Sequence, residues 1–117
     1  MSDRIFVLDE IEVVAAHSAE LRKAYIERYM PSARARNMCF EGAWRTPAID
    51  LPDRPTILFF LWSVAGPAEW WGMRLGTARA NPDLDVAIEG DEEKTRWWGF
   101  VDSIATSRKR TFMIDVE

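Results

Sequence analysis

Ten consecutive residues, Thr56 to Ala65 (TILFFLWSVA), restrict the folds open to this chain more than any other stretch. Both alternating sets are apolar: Ile57, Phe59 and Leu61 on one side, Leu58, Phe60 and Trp62 on the other. Aromatic and β-branched residues at this density favour extended backbone. The run is far too short to cross a bilayer as a helix. A strand that is apolar on both faces needs cover on both, which predicts a central strand of a sheet.

The flanking sequence supplies its neighbours. Residues 4 to 14 read as a first strand, with Ile5, Val7, Asp9, Ile11 and Val13 on one face and Phe6, Leu8, Glu10, Glu12 and Val14 on the other. A helix is predicted from Ser18 to Met30, with Ser18 or His17 as N-cap and Glu20 in the first turn, where the helix dipole favours an anion. Leu21, Tyr25 and Tyr29 recur at i, i+4 and i+8 and form its apolar stripe. Pro31 is expected to end it, leaving residues 32 to 38 as a basic connector. Residues 39 to 49 alternate as a second strand. The proline-bearing loop 50 to 55 then turns into Thr56 to Ala65, so these two strands form an antiparallel hairpin. Gly66-Pro67 opens a second helix to about Ala80, and residues 83 to 90 fit no single pattern. A third helix is predicted from Asp91 to Ser107, with Arg108, Lys109 and Arg110 just past its C-terminus, where cations suit the dipole. Thr111 to Val116 is the closing strand.

The order is β-α-β-β-α-β with an extra helix before the last strand: an α+β, ferredoxin-like arrangement with a four-stranded antiparallel sheet and its helices on one face. At 117 residues it makes a single domain, residues 1 to 117. Helices cover one face only, yet the central strand is apolar on both. A second copy packed sheet to sheet is the expected cover, so the chain is predicted to be a homodimer. A net charge of −4 argues against nucleic acid as a partner, and the lack of a long apolar run argues against the membrane. One cysteine, Cys39, and an N-terminus carrying acids where a signal peptide needs an apolar core make the cytoplasm the expected location.

The stretch from Trp44 to Trp62 (WRTPAIDLPDRPTILFFLW) resembles the hairpin of the NIPSNAP-like branch of the dimeric α/β-barrel superfamily. Trp97-x-x-Phe100-x-x-x-Ile104 is similar to the tryptophan-bearing helix before that family's last strand. Residues 81 to 93 depart from the pattern as an insertion. The superfamily includes cofactor-free monooxygenases, lyases, isomerases, haem-handling proteins and stress proteins. The resemblance therefore implies a dimeric α/β barrel with a ligand pocket between sheet and helices, and it fixes no reaction.

Six tryptophans stand out, four of them in two Trp-Trp-Gly triplets, Trp70-Trp71-Gly72 and Trp97-Trp98-Gly99. Aromatic core packing is one account of them; walls of a pocket for a planar or apolar ligand, with indole N–H groups as orienting donors, are the other. Tyr25, Tyr29, Trp44, Trp62, Trp71 and Trp97 are the candidate ligand-binding residues. His17, the only histidine, is the candidate catalytic acid or base, with helix capping as its alternative. Nothing selects among Asp9, Glu10 and Glu12 as a functional carboxylate, and Arg45 offers a cross-sheet partner for one of them. One histidine and one cysteine cannot build a zinc site, His17 could serve as an axial haem ligand but a lone histidine is weak evidence for haem, and G-x-G-x-x-G and G-x-S-x-G are both missing. No metal or cofactor is expected. Cys39 reads as a small core residue. The reading that results is a dimer binding a hydrophobic or aromatic small molecule, either as a cofactor-independent monooxygenase, isomerase or lyase, or as a non-catalytic ligand-binding or stress-related protein.

Overall fold

A computed structural model describes residues 4 to 68, 70 and 95 to 116. Four strands, β1 (Ile5–Val13), β2 (Cys39–Thr46), β3 (Thr56–Val64) and β4 (Ala105–Ile114), form one sheet in the order β2-β3-β1-β4. Every neighbouring pair is antiparallel. This is the ferredoxin-like strand order expected from the sequence.

Strand alternation decides which side chains meet the helices. On β1 and β3, Val7, Ile11, Leu58, Phe60 and Trp62 are fully or almost fully buried on the face that meets the helix following β1 (residues 15 to 35). On the opposite face Phe6, Leu8, Ile57, Phe59 and Leu61 are half-buried. The strand read as apolar on both sides is β3, and no helix among the described residues covers its second face.

Helix α1 is continuous, built from a 3-10 turn Ala15–His17, an α segment Ser18–Ala24, a π turn Tyr25–Tyr29 and an α segment Met30–Ala35. It therefore runs through Pro31, where the sequence predicted its end. Proline lacks an N–H and its ring crowds the carbonyl one turn back. The π turn just ahead widens the backbone and shifts the ladder at that point. The helix stops at a Schellman cap: Asn37 takes the left-handed conformation (φ 65°) and donates to the Arg34 carbonyl at 3.0 Å, and Met38 donates to the Ala33 carbonyl at 3.1 Å.

The last part of the chain differs from expectation. The helix predicted to reach Ser107 ends at residue 104 (α2, residues 95 to 104), and strand β4 begins at once. The basic run is thus not a helix terminus. It lies in the middle of β4, with Arg110 opposite Asp9 and Lys109 opposite Glu10 on β1. Opposite charges across an antiparallel ladder favour pairing, so the acidic strand β1 and the basic strand β4 select each other. Arg45, expected to serve a β1 carboxylate, instead binds Asp50 at 3.3 Å. Helical backbone does begin at Pro67, with Trp70 N–H donating to the Gly66 carbonyl at 2.9 Å. The readings made for residues 71 to 94, including Trp71 and the insertion, lie outside the described residues.

Candidate functional site

Between α1, α2 and the sheet lies a buried network of polar aromatic and charged side chains. It starts at Asp9, the one charged residue on the helix-facing side of β1, where it is 1% exposed. Its ladder partner Arg110 meets it with a two-pronged ion pair, Nε to Oδ1 at 2.6 Å and Nη2 to Oδ2 at 2.8 Å. Tyr25, one helical stripe above, donates its hydroxyl to Asp9 Oδ2 at 2.9 Å and accepts from Trp62 Nε1 at 2.6 Å. Burial, reinforced by the Asp9 charge, holds the Tyr25 phenol well above its ordinary pKa, so it remains a neutral donor. Burial works against the charge on Arg110, but the hydrogen bonds and charge of Asp9 outweigh it and raise the guanidinium above its ordinary value.

Tyr29 is the second hub. Its hydroxyl oxygen accepts from Arg110 Nη2 at 2.6 Å and from Arg36 Nη2 at 3.2 Å. Arg36, held at the C-cap of α1, also donates through Nε to the Ser32 carbonyl at 3.4 Å. Aromatic rings enclose the network. Phe60 stacks on Tyr25 with centroids 3.6 Å apart, and Trp97 lies 5.7 Å from Tyr25 and 5.6 Å from Tyr29. Trp62 meets Tyr29 edge-on at 6.0 Å, and Trp98 lies 5.6 Å from Tyr29. Arg110 stands over the Trp98 ring at 5.0 Å, a cation–π arrangement.

The structure thus brings together Tyr25, Tyr29, Trp62 and Trp97 of the residues singled out in the sequence. Trp44 lies apart, more than half exposed. It forms the rim of a recess of about 150 Å³ shared with Arg22, Ala43, Arg45, Leu58 and Phe60. The floor residue Phe60 joins that recess to the Tyr25 ring stacked on it. His17 sits in the first turn of the helix, about two turns before Tyr25. It is exposed and contacts Glu20 at 3.1 Å. Cys39, expected in the core, is exposed because it opens the edge strand β2.

Asp9 is one of three carboxylates among which the sequence does not choose, and Arg36 and Arg110 lie in basic clusters that read as solvated surface. A signal for Asp9 was present: it interrupts the otherwise apolar series Ile5, Val7, Ile11, Val13. Among the described residues no three metal-binding side chains cluster, and no helix is long and apolar enough to cross a membrane.

No family model and no curated protein matches the chain. Solved structures do. A NIPSNAP domain protein from Burkholderia xenovorans superposes with a TM-score of 0.62 at 12% identity, over 96% of this chain and 94% of its own. A NIPSNAP family protein of unknown function from Agrobacterium tumefaciens gives a TM-score of 0.63 at 6% identity, over 97% and 88%. A protein from Bordetella bronchiseptica assigned to antibiotic biosynthesis monooxygenases gives 0.53 at 14%, over 99% and 100%. The chain has the NIPSNAP-like fold suspected from its tryptophan-bearing hairpin. Identities this low speak for the fold alone.

Proposed function

We propose that this chain binds a planar, largely apolar small molecule against the aromatic wall formed by Tyr25, Tyr29, Trp62 and Trp97, and that it works as a two-fold dimer in the cytoplasm. The observation that carries the ligand reading is the buried polar network inside that wall. Tyrosine hydroxyls and arginines sunk among aromatic rings cost desolvation that apolar side chains of similar size would avoid. A binding site is where such groups orient a ligand. The dimer reading is supported by the open face of the sheet, where Phe6, Leu8, Ile57, Phe59 and Leu61 lie half-buried beside the exposed Trp44 and Met113. An apolar surface of that kind is uncommon on a monomer, and a second copy offers it a self-complementary partner. The lone exposed thiol of Cys39 suits a reducing compartment.

Binding without turnover is the reading favoured. Asp9 already accepts three hydrogen bonds, two from Arg110 and one from Tyr25, which leaves it poorly placed as a general base. A cofactor-independent monooxygenase, isomerase or lyase acting on the same ligand would need its base elsewhere, and His17 is the candidate.

Titration of two-ring aromatic compounds against tryptophan fluorescence tests the pocket: quenching that saturates is expected, and no response across the panel overturns it. Sedimentation at micromolar concentration tests the dimer, and a monomer would refute it. Oxygen-dependent or isomerising turnover that disappears in His17→Ala would favour the enzyme.

A further inference from the structure

We propose that Arg36, Tyr29 and Trp97 form the recognition site for a small organic anion, a carboxylate carried on a flat apolar body. This rests on the ligand-binding reading above and names the chemical class of the ligand.

The first reason is charge. Among the described residues the buried network contains one carboxylate, Asp9, and two guanidinium groups, Arg36 and Arg110. Asp9 is consumed by Arg110. Arg36, 3% exposed, forms no ion pair among the described residues. Among the described residues one unit of buried positive charge is therefore left without an opposite charge, and buried charges are ordinarily paired.

The second reason is a surplus of donors. Arg36 Nη1 and Trp97 Nε1 are buried and have no hydrogen-bond partner among the described residues. The Tyr29 oxygen accepts from both arginines, and its own O–H proton finds no acceptor among the described residues. Arg36 and Trp97 both flank the Tyr29 ring, with the Arg36 guanidinium carbon 5.6 Å and the Trp97 ring centre 5.6 Å from its centroid. Among the described residues, three kinds of donor around one tyrosine lack an acceptor. A neutral apolar ligand would satisfy none of them; a carboxylate, acceptor-only and negatively charged, matches both the donors and the charge. The surrounding rings of Trp62, Trp97 and Trp98 suit a flat body on the far side of that carboxylate.

The test compares isosteres. Calorimetric titration at pH 7 would use 2-naphthoate and its neutral counterpart 2-naphthamide. The expected result is affinity for the naphthoate at least about tenfold greater, the scale of hydrogen bonds to a charged group. Arg36→Met should erase that preference, bringing the affinities for the two compounds within about threefold of each other. Trp97→Phe, which keeps a ring and removes the N–H, should lower naphthoate affinity by a smaller factor, and it serves if Arg36→Met does not fold. Equal binding of the two compounds, or a preference that survives loss of Arg36, overturns the anion site and leaves the aromatic pocket standing. Binding of neither compound overturns both readings.

Discussion

Replacing Arg110 with methionine tests the buried network at its most consequential bond. The side chain is 18% exposed, and its partner Asp9 is almost wholly buried. Methionine keeps most of the apolar stem and removes both charge-assisted bonds to Asp9. Among the described residues the carboxylate then retains only the Tyr25 hydroxyl. Breaking a buried pair from one side costs roughly 3–5 kcal/mol, because an uncompensated charge stays behind. The partial exposure of Arg110 lets water reach the vacated position, which puts the expectation near the lower end, about 3 kcal/mol. At roughly 4 °C per kcal/mol for a chain of this size, the midpoint of thermal unfolding should fall by about 12 °C. Adding Asp9→Asn to Arg110→Met removes the stranded charge and keeps an amide oxygen for Tyr25. It should restore about 2 of those 3 kcal/mol. The assay is equilibrium urea unfolding followed by tryptophan fluorescence, at fixed protein concentration so that association does not bias the comparison. If Arg110→Met costs less than about 1 kcal/mol, or the second substitution adds to the loss, the pair does not hold strands β1 and β4 as described.

Asp50 accepts hydrogen bonds from Ser18 and Thr56 at 2.9 Å each, and these hold its carboxyl below the ordinary carboxylate pKa. A folded-state pKa below the unfolded one gives stability that is present above about pH 4 and lost as the pH falls through the folded value. Asp50→Asn should therefore flatten the acid limb of the stability profile, and an unchanged limb would show that those bonds are not formed. A Cβ added at Gly42 would lie 2.8 Å from Trp44 Cη2, so Gly42→Ala must swing the exposed indole aside. Folding stability should change by less than about 1 kcal/mol while sedimentation shows a weaker dimer; an unaltered dimer would remove Trp44 from the interface. At Asn37, with φ of 65°, substitution by alanine should cost about 1 kcal/mol in urea unfolding and substitution by glycine nearly nothing.

Local patterns made much of this molecule legible. The two-faced run of β3, the tyrosine stripe of α1 and the hairpin loop each follow from neighbours close in sequence, and all three formed as read. What escaped depended on distant partners. Arg108-Lys109-Arg110 looks like a helix terminus when judged beside the acids at 91 to 93. Only pairing with Asp9 and Glu10, about a hundred residues earlier, makes it a strand. The continuation of α1 through Pro31 escaped for a related reason, since a π turn inside the preceding stripe leaves no mark on its periodicity. The aromatic half of the candidate site was visible because tryptophan is conspicuous. The charged half was not, because Arg36 and Arg110 each sat in basic clusters that resemble solvated surface.

The charge ladder between β1 and β4 also sets an order of events during synthesis. Of the four described strands β1 is made earliest and β4 latest, and β1 is flanked in the finished sheet by β3 and by β4. Until residue 110 emerges, Asp9 has no cation across the ladder, and packing α1 onto β1 would bury a bare carboxylate. That penalty keeps the incomplete chain open and discourages it from settling early around its apolar strands. Arrival of the arginine removes the penalty, so the ion pair inside the sheet ties the packing of β1 to the pairing of β4.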